Sequence, residues 1–123
     1  MSENGSARRV LIVEDDVMIR MLIEDMLLDL GFAVAAQAAK VHEALEAVHS
    51  TAIDVAILDV NLSGETTGPV AEALAARGTP FVFATGYGEH GLPAQFRNRP
   101  LLKKPFQIDS LKRMLDAALA PKA

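Results

Sequence analysis

Apolar and polar positions follow one another in blocks along this chain, and the blocks predict a regular succession of strands and helices. Short apolar runs, which predict buried strands, occupy residues 9–13, 32–37, 54–60, 80–84 and 100–106. Apolar residues at helical spacing follow four of these runs, at residues 17–31, 40–49, 69–77 and 108–119. Residues 86–100, after the fourth run, are rich in Gly, Pro and polar residues and predict a short or irregular helix.

The first helical segment predicts its own ends and its buried face. Asp16 stands where an N-cap residue is expected, and Gly31 stands just past the expected helix end. The apolar positions of one face are Ile19, Leu22, Ile23, Met26, Leu27 and Leu30.

Strict alternation of strand and helix with short connections predicts an α/β fold, in which helices cover both faces of a doubly wound parallel sheet. For a five-stranded (βα)5 unit we expect the flavodoxin-like strand order 2-1-3-4-5, which places the first and third strands side by side. Glu14 and Asp15 follow the first strand and Asp59 ends the third, so these carboxylates are expected to meet at one edge of the sheet.

Composition narrows the class of protein. The chain has 123 residues, half of them apolar, which suffices for one core, so we expect a tail at residues 1–7 and one ordered domain at residues 8–120. A net charge of −4 without a basic cluster argues against nucleic acid as a partner. The chain lacks Cys, a signal-peptide pattern and a run of about 18 apolar residues, so we expect a cytoplasmic protein without membrane attachment or thiolate metal sites.

Side chains capable of chemistry follow four of the predicted strands: Glu14, Asp15 and Asp16, then Asp59, then Thr85, then Lys104. Helix capping accounts for Asp16. The other three carboxylates would repel one another unless a cation or protons offset their charge. Because all the candidate ligands are oxygens, the sequence predicts a site for Mg²⁺ or a similar hard cation.

Lys104 and Thr85 would add a positive charge and a hydroxyl to the same edge. Each has an ordinary alternative, since Lys104 could be a solvated surface lysine and Thr85 a strand-end hydroxyl. Taken together, the set is suited to phosphoryl transfer onto a carboxylate, with Asp59 attacking in line while Mg²⁺ and Lys104 neutralise charge.

Four ordered motifs, "VLIVEDD", "ILDVNL", "FATG" and "LLKKPF", resemble the receiver domain of two-component response regulators. The resemblance covers almost the whole chain. It implies that Asp59 is the phosphoacceptor, that Asp15 binds Mg²⁺ directly and that Glu14 acts beside it through water. It also implies that the backbone carbonyl of Asn61 is a metal ligand.

The same resemblance assigns the remaining site residues. Thr85 would be the switch hydroxyl that turns toward the phosphoryl group. Lys104 would be its charge partner, rather than the adjacent Lys103, because the family's lysine stands directly before a proline that follows a cis bond, here Pro105.

The stretch "PFVFATGYG" is similar to the signature of the stand-alone receivers called the FAT GUY group. This implies a receiver without an output domain, partnered by a histidine kinase of the HWE/HisKA2 type or a histidine phosphotransfer protein. Such a chain would act by binding partners or as a phosphate shuttle or sink, and its oligomeric state stays open. Slow hydrolysis of its own phospho-aspartate is the turnover expected, so the chain is not expected to be an enzyme.

The sequence departs from the family's pattern in the loop after Asp59 and in the fifth strand. Leu62 and Ser63 replace the usual Met-Pro pair, and Leu101 replaces the aromatic switch residue, for which Tyr87 is a possible substitute. These departures leave room for one alternative, a phosphorylation-independent binding module that regulates a kinase, although the intact acids, Thr85 and Lys104 argue against it. A phosphatase with an aspartyl nucleophile is a further alternative, but Asn61 stands where such enzymes of the haloacid-dehalogenase type need a second acid.

Overall fold

The apolar segments form strands and the amphipathic segments form helices, in a computed structural model that describes residues 7–62, 64–85, 101–104 and 106–120. The strands are β1 (Arg9–Val13), β2 (Ala33–Ala38), β3 (Val55–Asp59), β4 (Asn61–Leu62), β5 (Glu65–Thr66), β6 (Phe81–Thr85) and β7 (Leu101–Lys103). The helices are α1 (Val17–Asp29), α2 (Val41–Ser50), α3 (Gly68–Ala76) and α4 (Ile108–Leu119). Within these ranges, every helix is too short or too polar to cross a bilayer.

The five longer strands form one parallel sheet in the order β2-β1-β3-β6-β7. Counted along the chain, this is the order 2-1-3-4-5, so the predicted flavodoxin-like fold is confirmed. The expected short or irregular helix at residues 86–100 lies outside the described residues, as do residues 1–6 of the expected tail.

Helices cover both faces of the sheet, which explains why the strands are apolar at consecutive positions. In β3, Ala56 and Leu58 belong to the cluster that packs against α2 and α3. Val55 and Ile57 belong to the cluster on the opposite face, against α1 and α4. Every residue of β3 is buried. This double coverage holds the central strands rigidly, and with them the residues at their ends.

The segment after β3 differs from the loop that the sequence predicts. It contains a short antiparallel hairpin in which Asn61 pairs with Thr66 and Leu62 with Glu65. Leu62 is buried in the core, and Gly64 takes a φ of 90°, a conformation that favours glycine in tight turns. Two-residue strands are too short to show an apolar period, which is why the sequence pattern does not reveal them.

The buried face of α1 is narrower than predicted. Ile23 and Leu27 are buried as expected, but Leu22 is 48% exposed, so its predicted place in the core is wrong. Its side chain lies about 100° around the helix from Ile23, on the flank of the face that meets the sheet.

The predicted ends of α1 are confirmed at Asp16 and Gly31, and α3 ends in the same way. The Asp16 carboxylate accepts hydrogen bonds from the backbone N–H groups of Met18 and Ile19, at 2.9 and 3.1 Å, and so caps α1. Gly31 and Gly78 follow α1 and α3 with φ values of 88° and 73°, as expected for residues just past a helix end.

Replacing Asp16 by Ala should lower the free energy of unfolding by ~1 kcal/mol, because two N–H groups at the start of α1 lose their acceptor. Urea denaturation of the wild type, Asp16→Ala and Asp16→Asn would measure this. Asn can accept the same bonds, so Asp16→Asn should stay close to the wild type. Equal losses in both variants would show that the Asp16 charge, rather than its cap, stabilises the helix.

Candidate functional site

The ends of four neighbouring strands bring the predicted site residues to one edge of the sheet. Val13 of β1 pairs with Leu58 of β3, which puts the residues that follow them side by side. Asp59, the last residue of β3, pairs with Ala84 of β6. The backbone N–H of Lys104 donates to the Thr85 carbonyl at 2.9 Å, so β7 delivers Lys104 beside the end of β6.

Three carboxylates form an acidic cluster at this edge. Oxygen atoms of Glu14, Asp15 and Asp59 lie within 4.8 Å of one another. Glu14 is 2% exposed and Asp59 is 9% exposed, while Asp15 is half-buried. Asp16 is not in this cluster, in keeping with its role as a cap. The donor set consists of carboxylate oxygens, which fits a hard divalent cation.

Lys104 supplies the positive charge that faces the acids. Its ammonium group forms an ion pair with the Glu14 carboxylate, and its Nζ lies 3.1 Å from Asp59 Oδ2. Burial acts to lower the pKa of Lys104, but the hydrogen bond to Glu14 and the charge of Asp59 outweigh it and raise that pKa. Lys103, the rival in the sequence, is exposed.

Besides its contact with Lys104, Glu14 is held by three further hydrogen bonds. Its backbone N–H donates to the Ala38 carbonyl at 3.0 Å, and the Asp16 N–H donates to its carboxylate at 3.0 Å. The guanidinium of Arg20 donates to its backbone carbonyl at 2.8 Å. Burial raises the pKa of Glu14 to about 7, although the hydrogen bond from Lys104 opposes this rise.

Three of the other predicted residues lie in strands near this edge, and two lie outside the described residues. Thr85 is the buried last residue of β6. Asn61 begins β4, two residues after Asp59. Leu101, at the position of the family's aromatic switch, is half-buried in β7. Tyr87 and Pro105, with its expected cis bond, lie outside the described residues.

Two residues that support the site are not evident from the sequence. Arg20 reads as an ordinary polar position of α1, and Thr67 reads as a cap for α3. Arg20 reaches back to Glu14, and the Thr67 hydroxyl donates to the backbone carbonyl of Asp59 at 2.7 Å. A helix-start Thr followed by Gly-Pro is a weak signal for such a role, and for Arg20 no sequence signal exists.

Comparison with known proteins places almost the whole chain in one family. The response regulator receiver domain family matches residues 10–116. The transcriptional regulatory protein PdtaR of Mycobacterium tuberculosis is 31% identical over 117 residues, which cover 92% of this chain and 57% of PdtaR. The chain therefore spans little more than half the length of that relative.

Solved structures similar to this chain have the same fold. The solution structure of SdrG from Sphingomonas melonis Fr1 is 47% identical with a TM-score of 0.83, covering 93% of this chain and 98% of that one. The BeF3-activated conformation of SdrG from Pseudomonas melonis Fr1 is 45% identical with a TM-score of 0.80, covering 94% and 99% of the two chains.

The raised pKa of Glu14 predicts how stability depends on pH in the absence of divalent cations. With the pKa of Glu14 raised to about 7, the folded state keeps a proton on Glu14 below that pH, where Lys104 donates to a neutral carboxyl and the ion pair forms only above it, whereas the unfolded state releases the proton near pH 4.5. The free energy of unfolding should therefore fall as pH rises through this window, with Glu14 contributing up to about 3 kcal/mol.

Urea denaturation in EDTA from pH 4.5 to 7.5 would measure this contribution. Glu14→Gln should lose most of the fall with pH, because it has no proton to release. Glu46→Gln, at an exposed position of α2, should retain it. If Glu14→Gln and the wild type depend on pH alike, Glu14 does not titrate in this range.

Proposed function

We propose that this chain, which belongs to the response regulator receiver family, accepts a phosphoryl group on Asp59 from a phosphohistidine of a partner protein. One observation carries the proposal: the Asp59 carboxylate belongs to the acidic cluster and also faces the Lys104 ammonium, whose Nζ is 3.1 Å from Asp59 Oδ2. A carboxylate in this setting has both a candidate cation site and a fixed positive charge beside it, as acceptance of a phosphoryl group requires.

Glu14, Asp15 and Asp59 would hold Mg²⁺, together with the backbone carbonyl of Asn61. The carboxylate oxygens of the first three residues lie close enough to share one ion, and oxygen ligands are those that Mg²⁺ prefers. Bound there, Mg²⁺ supplies neutralisation of the negative charge on the phosphoryl oxygens.

Asp59, Lys104 and Thr85 have separate roles in the phosphoryl transfer. An oxygen of the Asp59 carboxylate attacks phosphorus, the P–N bond of the phosphohistidine breaks, and the imidazole leaves with the bonding electrons. Lys104 exchanges its contact with Asp59 for one with a phosphoryl oxygen, where its point charge stabilises the product. The Thr85 hydroxyl donates a hydrogen bond to another phosphoryl oxygen, and this bond reports the phosphorylated state.

The signalling role follows from this chemistry. Residues 8–120 act as one cytoplasmic receiver domain that takes its phosphoryl group from a kinase of the HWE/HisKA2 type or a phosphotransfer protein. It passes the signal on by binding partners, or acts as a phosphate shuttle or sink. Water slowly hydrolyses the phospho-aspartate, so the chain is not an enzyme. SdrG, similar over almost its whole length, has a BeF3-activated conformation, which supports an activatable site here.

Wild-type protein incubated with acetyl phosphate and Mg²⁺ should gain one phosphoryl group, and Asp59→Asn should gain none, because the amide is not a nucleophile of this kind. Intact-protein mass spectrometry would measure the gain, and EDTA should abolish it. Asp109→Asn removes an exposed Asp of α4 and should leave the gain unchanged.

Failure of the wild type to gain the group, from acetyl phosphate and from a phosphohistidine donor alike, would refute the proposed function. The phosphorylation-independent binding module would then be the better reading. A gain that persists in Asp59→Asn would instead move the acceptor to another residue.

The exposed apolar face of α1 provides a contact surface for the donor protein. The large exposed apolar side chains found among the described residues all lie on α1, and Met18 and Met21 are 79% and 58% exposed. Met18 and Met21 are three residues apart and lie on one face of the first half of α1. This helix begins two residues after Asp15 of the acidic cluster. A donor that covers this face would hold its phosphohistidine close to Asp59, since large exposed apolar patches mark protein contacts.

The double variant Met18→Ser/Met21→Ser should slow phosphoryl transfer from a phosphohistidine protein by about tenfold or more, since it removes apolar contacts from the encounter. Labelling by acetyl phosphate should be unchanged, because a small donor needs no docking surface. Leu28→Ser, which changes an exposed apolar residue at the far end of α1, is the matched control. Equal transfer rates in the double variant and the wild type would exclude this surface.

A further inference from the structure

Thr67 ties the loop after β3 to the backbone of Asp59. Its side chain is buried, with 1% of the residue exposed. Its Oγ1 donates to the Asp59 carbonyl at 2.7 Å and lies 3.3 Å from the Val60 carbonyl. Its backbone N–H donates to the Val60 carbonyl at 3.1 Å. One residue therefore binds two consecutive peptide groups at the point where β3 ends.

The hydroxyl of Thr67 is not used to cap the helix that follows. Thr67 occupies the N-cap position of α3, where a Thr side chain ordinarily accepts from an N–H of the first turn. It makes no such bond: Pro69, the second residue of α3, has no N–H to offer, and the N–H of Val70, the third, does not donate to it either. The orientation of the hydroxyl is thus explained by its bond to Asp59 rather than by the helix.

The bond closes a ring of chain around the β4–β5 hairpin. It joins residues eight positions apart, and the strands of the hairpin pair between them. On the far side, the Val60 N–H donates to the Ala84 carbonyl of β6 at 3.1 Å. The peptide group between Asp59 and Val60 is therefore held at its carbonyl by the loop and at its N–H by the sheet.

We infer that Thr67 is a positioning residue for the Asp59 carboxylate. The Asp59 side chain leaves the same residue whose carbonyl Thr67 binds, so a displacement of this backbone would carry the carboxylate away from Glu14 and Asp15. Together with the bond from Val60 to the sheet, the Thr67 hydroxyl resists that displacement and keeps the three carboxylates close enough to share one divalent cation. The inference rests on the proposed function, in which this cluster holds Mg²⁺.

The test is a Mg²⁺ titration of the unphosphorylated protein, followed by ¹H–¹⁵N NMR shifts, with no phosphodonor present. Thr67→Val keeps the shape of the side chain and removes the donor, so the dissociation constant for Mg²⁺ should rise about fivefold to tenfold, as expected for one lost hydrogen bond. Thr67→Ser keeps the hydroxyl and should stay within about twofold of the wild type. Thr66→Val, at the exposed neighbouring position, is the matched control and should bind as the wild type does.

A wild-type affinity for Mg²⁺ in Thr67→Val overturns the inference and leaves the proposed function intact. A wild type that binds no Mg²⁺ and takes up no phosphoryl group overturns both. If Thr67→Val does not fold, the hydrogen bond of Thr67 is tested in the wild type instead. Its Thr67 hydroxyl proton should be visible by NMR and protected from exchange, and rapid exchange with water would contradict the bond.

Discussion

Repulsion among three carboxylates is the constraint around which this structure is arranged. The strands that carry Glu14, Asp15 and Asp59 are neighbours in the parallel sheet, so the three carboxylates must lie close together. The Lys104 ammonium offsets part of this charge, and it reaches the acids because β7 lies beside β6. The pairing of β1 with β3 therefore brings the negative charges together, and the pairing of β6 with β7 brings the positive charge of Lys104 to them.

Protonation of Glu14 and hydrogen bonds to the backbone help the chain to tolerate the negative charge that Lys104 does not offset. Burial of Glu14 favours its protonated form, which lessens repulsion when no cation is bound. The Arg20 guanidinium and the Asp16 N–H hold the turn that carries Glu14, while Thr67 and the sheet hold the peptide of Asp59. The main chains of Glu14 and Asp59 are thus held independently of Lys104, so their carboxylates can exchange partners without moving the fold.

The sequence predicts the large features of this arrangement because they depend on patterns that recur over many residues. Consecutive apolar positions indicate strands buried on both faces, and the alternation of strand with helix leads to the sheet order and to the meeting of Glu14 with Asp59. The β4–β5 hairpin escapes prediction because a two-residue strand has no period. Thr67 is not singled out by the sequence because its position before α3 is typical of a cap, and only its hydrogen bond to Asp59 reveals the other role. Leu22 shows the same limit on a helix, where one position on the flank of an apolar face can lie in solvent.

The shortness of β7 affects how this sheet can meet other chains. Strand β7 stands at one end of the sheet order and has three residues, the last of which is the exposed Lys103, followed by Lys104. Short edge strands bearing lysines disfavour the addition of a strand from another molecule, because an incoming backbone finds few pairing groups and must desolvate charge. The two adjacent lysines thus divide two roles: Lys104 is the counter-charge of the acidic cluster, and the exposed Lys103 helps to protect the sheet edge against aggregation.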